Sequence, residues 1–119
     1  ILFSMIANAA ASDPCISVVI PCFERIDFLR NALYSVFSQT LKPSEILVVD
    51  DGSPTPIEPT LAQEFPGVRW LYQENSGVAA ARNLGIKMAP CSWIAFLDSD
   101  DFWRPDRIEK QLISECSYK

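Results

Sequence analysis

A chain of 119 residues supplies at most one domain, and folding at that size buries roughly two thirds of the unfolded surface in one core. Apolar residues make up 49% of it, which excludes a disordered chain. The net charge of −5 argues against a surface built for nucleic-acid phosphates, and no apolar run is long enough for a membrane span.

Residues 1–14 read as a flexible or expression-derived arm ahead of a domain over 15–119. Ala9-Ala10-Ala11-Ser12 faintly resembles a signal-peptide cleavage region, but the segment has no basic start and is broken by Ser4 and Asn8. Ile16-Ser17-Val18-Val19-Ile20 is a short apolar run ending at Pro21, the composition of a strand buried on both faces. Asp27 is placed to cap a helix whose apolar positions, Leu29, Leu33, Val36 and Phe37, recur at helical spacing to about Gln39. Lys42-Pro43-Ser44 breaks it, and a second strand follows over 45–50.

Pro54, Pro56 and Pro59 mark a loop before a short helix near 60–64, which Pro66-Gly67 ends. Residues 68–72 have strand composition. Ser76-Gly77 opens a helix whose small face, Ala81 and Gly85 among Val78, Leu84 and Met88, is suited to close approach to a sheet; Pro90 stops it. Residues 93–97 form the fourth strand, and Pro105 with Asp106 and Glu109 begins a last helix with Ile108, Leu112 and Ile113 on its apolar side. The order β-α-β-α-β-α-β-α implies an α/β fold with a Rossmann-like open parallel sheet, flanking helices and strand order 3-2-1-4.

Two of these strands run into carboxylates, as Asp50-Asp51-Gly52-Ser53 and Asp98-Ser99-Asp100-Asp101. The first could be an ordinary Asp-Gly turn. As a functional group, Asp51 would accept hydrogen bonds from a ligand's N–H or O–H groups. Crowded carboxylates in the second repel one another unless water or a cation separates them. A divalent ion held by one or two of them plus phosphate oxygens fits Mg2+ or Mn2+. Arg82 and Asn83 are polar groups in a small-residue helix, and Arg82 has either a carboxylate or a ligand phosphate as its natural partner. Phe23, leaving the first strand, is core or a stacking face for a nucleobase.

The four cysteines, Cys15, Cys22, Cys91 and Cys116, form no CxxC and the chain has no histidine, which argues against a zinc site. Cys22 and Cys91 read as small buried thiols, and no disulfide framework is expected.

Together, Ser17-Val18-Val19-Ile20-Pro21-Cys22-Phe23-Glu24, Val48-Val49-Asp50-Asp51-Gly52-Ser53, Gly77-Val78-Ala79-Ala80-Ala81-Arg82-Asn83-Leu84-Gly85 and Phe96-Leu97-Asp98-Ser99-Asp100-Asp101 resemble the nucleotide-binding half of family 2 glycosyltransferases of the GT-A fold. Ser35-Val36-Phe37-Ser38-Gln39-Thr40 is similar to the family's first-helix ending. The resemblance implies inverting transfer of a sugar from a nucleotide-diphosphate sugar, UDP first among the nucleotides, to a carbohydrate or lipid-linked acceptor in polysaccharide or glycoconjugate biosynthesis. It places Pro21, Phe23 and Glu24 at the base-binding edge, with Asp51 and Arg82 in the same pocket. Asp98 and Ser99 fall at the ribose, and Asp100, with Asp98, at an Mn2+ or Mg2+ ion on the diphosphate. Glu24 departs from the Asn the family often has there. The family's general base is expected beyond residue 119, leaving this chain a donor-binding part truncated at its C-terminus; Asp101 and Asp106 are the first suspects should the base lie within it.

The expected setting is cytoplasmic, peripheral to the inner membrane face, with homodimers or aggregates formed through an uncovered apolar face or an unpaired sheet edge. Two alternatives stand beside this reading. One is a response-regulator-like receiver, with Asp50-Asp51 as its acidic start and Asp98 as phosphoacceptor. The other is a nucleotide-binding module without turnover.

Overall fold

A computed structural model of the chain describes residues 3–5 and 15–116, with side chains over 15–112. Five strands form one sheet: β1 (Phe3–Met5), β2 (Ile16–Cys22), β3 (Glu45–Asp50), β4 (Val68–Tyr72) and β5 (Trp93–Phe96), in the order β1-β5-β2-β3-β4. The four strands β2 to β5 are mutually parallel and follow the expected 3-2-1-4 order. β1 adds an antiparallel edge, pairing Phe3 with Ala95 and Met5 with Trp93. It lies in the segment read as an arm; three residues without distinctive composition give no strand signal of their own, and the neighbouring strand supplies the pairing. The remainder of that arm is outside the described residues.

The alternation of β2 divides the core in two. Val18 and Ile20 face one side with Leu29, Leu33, Leu61, Phe65 and Ile108. Val19 faces the other with Leu47, Val49, Phe96 and Ala81. Helices α1 (Ile26–Phe37), α2 (Glu58–Leu61) and α4 (Arg107–Cys116) contribute to the first layer and α3 (Val78–Met88) to the second. Both faces of the strands are covered, which is why they read as continuous apolar runs. α3 lies so close to the sheet that a Cβ at Gly85 would fall 2.3 Å from Val19 Cγ1.

Three expectations are corrected. The position before α1 is Arg25, in a left-handed conformation with no side-chain cap, and Asp27 lies inside the first turn. The strand bends sharply through Glu24 and Arg25, so the helix starts one residue before the Asp can cap it. α2 falls earlier than expected, at Glu58–Leu61, because Pro59 is tolerated in a first helical turn. Cys91 is not a free thiol: it forms a disulfide with Cys15, Cα to Cα 5.1 Å, across 76 positions of sequence. The parallel pairing of Ile16 with Trp93 brings the two together, a proximity that only the topology creates. Cys22 is buried and free, as expected.

Candidate functional site

β5 pairs with β2 only as far as Val19 and Phe96, while β2 continues through Cys22 beside β3. Past that point the pairing of the two strands ends at their carboxyl ends, where successive crossovers have run in opposite directions. This is the crevice in which open α/β sheets bind ligands. Pro21 sits where no β5 neighbour needs its missing N–H.

The first acidic cluster is bound into the protein. Asp50 is buried; its Oδ1 accepts from the Ser53 N–H at 2.9 Å and its Oδ2 from the Ile57 N–H at 3.1 Å. Asp51 Oδ1 accepts from Gln73 Nε2 and the Ser76 N–H, both at 2.8 Å. Its Oδ2 accepts from the Gly77 N–H at 2.9 Å and Asn75 Nδ2 at 3.4 Å. Burial pushes the Asp51 carboxyl up, but hydrogen bonds from Gln73, Ser76 and Gly77 outweigh it and hold the group below its ordinary 3.8. Gly52, at φ +81°, lets this loop close: a Cβ there would meet the Asn75 backbone nitrogen at 2.5 Å. Burial, then the charges of Asp50 and Asp51, push the Cys22 thiol up to about 12.

The second cluster is open. Asp98 Oδ1 accepts from Arg82 Nη2 at 2.8 Å, with the Asp98 side chain still 49% exposed. The Asp98 carbonyl accepts from the Asp101 N–H at 3.0 Å, and Asp101 Oδ1 from the Phe102 N–H at 2.8 Å, closing a turn. Asp100 projects from it, exposed and without an ion-pair partner among the described residues. Arg82 Nε is buried without an acceptor among the described residues, so the guanidinium has capacity that the protein leaves unused.

A cavity of about 580 Å³ joins these groups. Pro21, Phe23, Asp51, Arg82, Asp98, Ser99 and Asp100, all expected at the site, line it together. Glu24 does not: it is exposed on a neighbouring depression beside Pro54 and Ile57, and its backbone N–H donates to Ser53 Oγ at 2.7 Å. Arg25 and Phe28 also line the cavity, the guanidinium 5.5 Å from the ring centroid. Sequence reasoning passed over both. The available signal was an aromatic residue on the solvent side of α1, 43% exposed, where a polar one would serve.

Among the described residues no group of three or more carboxylate, thiol or imidazole side chains could cage a metal by itself. Asp98 and Asp100 nevertheless offer hard oxygen donors at the rim of a pocket, and Mg2+ or Mn2+ needs only one or two of these beside phosphate oxygens. Aromatic walls, arginines and a carboxylate rim at a switch point define a pocket suited to a nucleotide.

Residues 17–113 match the family described as Glycosyl transferase family 2, and the chain belongs to it. That membership leaves the receiver-domain alternative without support. An uncharacterized glycosyltransferase of Rickettsia felis is 43% identical over 113 residues, which is 93% of this chain and 19% of that protein. The succinoglycan biosynthesis protein ExoW of Rhizobium meliloti is 43% identical over 100 residues, 78% of this chain and 31% of ExoW. The crystal structure of S. aureus TarS in complex with UDP-GlcNAc superposes with a TM-score of 0.72 over 83% of this chain and 30% of that one; at 23% identity the likeness speaks to fold. The chain thus spans less than a third of the length of each. Members of the family and fold generally depend on a divalent metal. Among the described residues no helix is long and apolar enough to cross a membrane.

Proposed function

We propose that these residues form the donor-binding part of an inverting glycosyltransferase that uses a nucleotide-diphosphate sugar, with UDP as the first nucleotide to try. The observation that carries this is the shared cavity: Phe23, Phe28 and Arg25 line it together with Asp98 and Asp100, the aromatic groups suited to a nucleoside and the carboxylates to a metal-bound diphosphate. Family membership supports the reaction class.

In this reading Phe23 stacks on the base, and Pro21 closes the edge of its slot. Asp51 acts through the loop it holds, presenting Asn75 at the cavity wall. Arg82 steadies Asp98 and keeps donors for the ligand. Ser99 offers a hydroxyl to the ribose. Asp100 and Asp98 would hold Mn2+ or Mg2+; the ion supplies charge neutralisation for the departing nucleoside diphosphate. An acceptor hydroxyl must lose its proton to a base in inverting transfer. Asp106 is already paired with Lys110 at 3.3 Å and Asp101 lies outside the cavity lining, so neither is favoured for that role. The acceptor proposed is a carbohydrate or lipid-linked sugar of polysaccharide or glycoconjugate synthesis, handled at the cytoplasmic membrane face by a self-associating protein.

Calorimetric titration with UDP, GDP, ADP and CDP, with and without manganese, tests this. Binding of one of them that tightens on adding manganese is expected. No binding of any in either condition would overturn the reading.

A further inference from the structure

Gln39 lies two residues beyond the end of α1, fully buried, and touches nothing in the cavity. Its Nε2 donates to the Ser35 carbonyl at 3.1 Å and the Arg104 carbonyl at 2.6 Å, and its Oε1 accepts from the Ile108 N–H at 3.0 Å. Thr40 adds two more links to the same place: its N–H donates to the Pro105 carbonyl at 2.7 Å and its Oγ1 to Glu109 at 2.8 Å. The end of α1 therefore grips the first turn of α4. The Ile108 N–H is one of the donors that a helix start leaves without an internal partner, and Gln39 caps it from a distant part of the chain. Only a side chain with both an amide donor and a carbonyl acceptor at this length makes all three bonds.

We propose that Gln39 is a positioning residue for the carboxylate loop. That loop leaves the sheet where the Leu97 N–H donates to the Val19 carbonyl at 3.1 Å, and Asp98 is held by Arg82. It next meets the body of the protein at Trp103, which is buried in the core, and the Gln39 bonds to Arg104 and Ile108 fix the backbone directly behind that residue. Asp100 hangs between the two anchors and makes no ion pair of its own among the described residues. With both ends fixed the loop has few conformations. Without the Gln39 bonds the backbone behind Trp103 loosens although Trp103 and Thr40 still hold, binding must order it, and fixing even one or two residues costs about tenfold in affinity.

This rests on the reading that Asp98 and Asp100 meet a metal and a diphosphate, and the experiment separates the two claims. The wild-type chain and Gln39→Met are titrated with UDP with and without manganese and with uridine alone. Amide hydrogen exchange is followed over residues 98–108. In Gln39→Met the gain in UDP affinity from manganese should fall about tenfold, while uridine affinity stays within about twofold. Amides of the loop should exchange faster, and those of β2 and β3 should not change. If Gln39→Met does not fold, Gln39→Asn carries the same test, its amide one methylene short of Arg104 and Ile108. A folded variant with wild-type loop exchange and an undiminished manganese gain overturns the proposal. So does an equal loss of uridine and UDP binding, which is the mark of a general structural defect. A wild-type chain that gains nothing from manganese overturns the donor-site reading instead, and the exchange data alone then decide on Gln39.

Discussion

The two acidic clusters look alike in composition and are used in opposite ways. Asp50 and Asp51 are nearly inaccessible, and six hydrogen bonds from Gln73, Asn75 and four backbone N–H groups take up their oxygens. Asp98 and Asp100 stand at the cavity rim, one holding a single arginine and the other unpaired among the described residues. The first cluster uses its charge to fix backbone, gathering the loop after β4 onto the end of β3. The second keeps its charge available. A carboxylate whose lone pairs are filled by protein donors is a poor partner for a ligand. A loose carboxylate beside an unused guanidinium edge is a good one.

Emptying the first cluster should do the most damage. Asp51→Ala leaves the Ser76 and Gly77 N–H groups without their charged acceptor, and Asp50→Ala does the same to Ser53 and Ile57. Each should lower unfolding stability by about 2–4 kcal/mol in urea titrations, since hydrogen bonds to charged groups are the strong ones. Asp51→Ala should also weaken nucleotide binding equally with and without metal, because the wall containing Asn75 loses its support. A stability loss below about 0.5 kcal/mol would show that these bonds are replaced by water.

The second cluster should behave in reverse. Asp100→Ala removes an exposed side chain, so stability should stay within about 0.5 kcal/mol of wild type. Its effect should appear only in calorimetry with manganese present, as a loss of about tenfold in nucleoside-diphosphate affinity, the scale of one good charge-assisted contact. Equal losses with and without the metal would remove Asp100 as a metal ligand.

This contrast explains what could be read from the sequence. Strands such as residues 16–20 and 93–97 announce themselves because burial on both faces demands continuous apolar runs. Their order follows from the handedness of the crossovers. The gathering of Pro21, Phe23, Asp51, Arg82 and Asp98 follows from that order, since all but Arg82 stand at or just past strand ends. The partners of each group were not legible. Gln73, Ser76 and Gly77 lie 22 to 26 positions from Asp51, and nothing in their identity marks them as its donors. Cys15 and Cys91 are likewise joined by strand adjacency and not by spacing. Gln39 resembled a family feature, but its grip on Arg104 and Ile108 depends on where two distant helix ends meet.

A smaller effect should appear in acid. The Asp51 carboxyl titrates below its ordinary 3.8 in the folded chain. Its contribution is therefore complete above the unfolded value and is lost as pH falls from about 4 through the lower folded value. The stability difference between wild type and Asp51→Ala should be constant from pH 7 to 5 and narrow below pH 4. Urea midpoints across that range measure it, and a difference that ignores pH would mean that the neutral carboxyl is held as well as the charged one.

The smallest expected effect is an absence of reaction. Cys22 lies beside the first cluster, paired with Asp50 across the sheet and at the cavity wall, yet burial first and then the charges of Asp50 and Asp51 push its thiol up to about 12. At pH 8 almost none is thiolate, the form that attacks alkylating reagents. Iodoacetamide should leave the peptide containing Cys22 unmodified in the native protein and alkylate it fully after unfolding, as mass spectrometry of the digest would show. Asp51→Ala sharpens the point. Burial is the larger cause and one carboxylate remains, so the thiol should still resist alkylation in the folded variant. Rapid native labelling would mean that the cavity opens to solvent far more often than its packed first cluster allows, and the division between a fixed and an available set of carboxylates would then not hold.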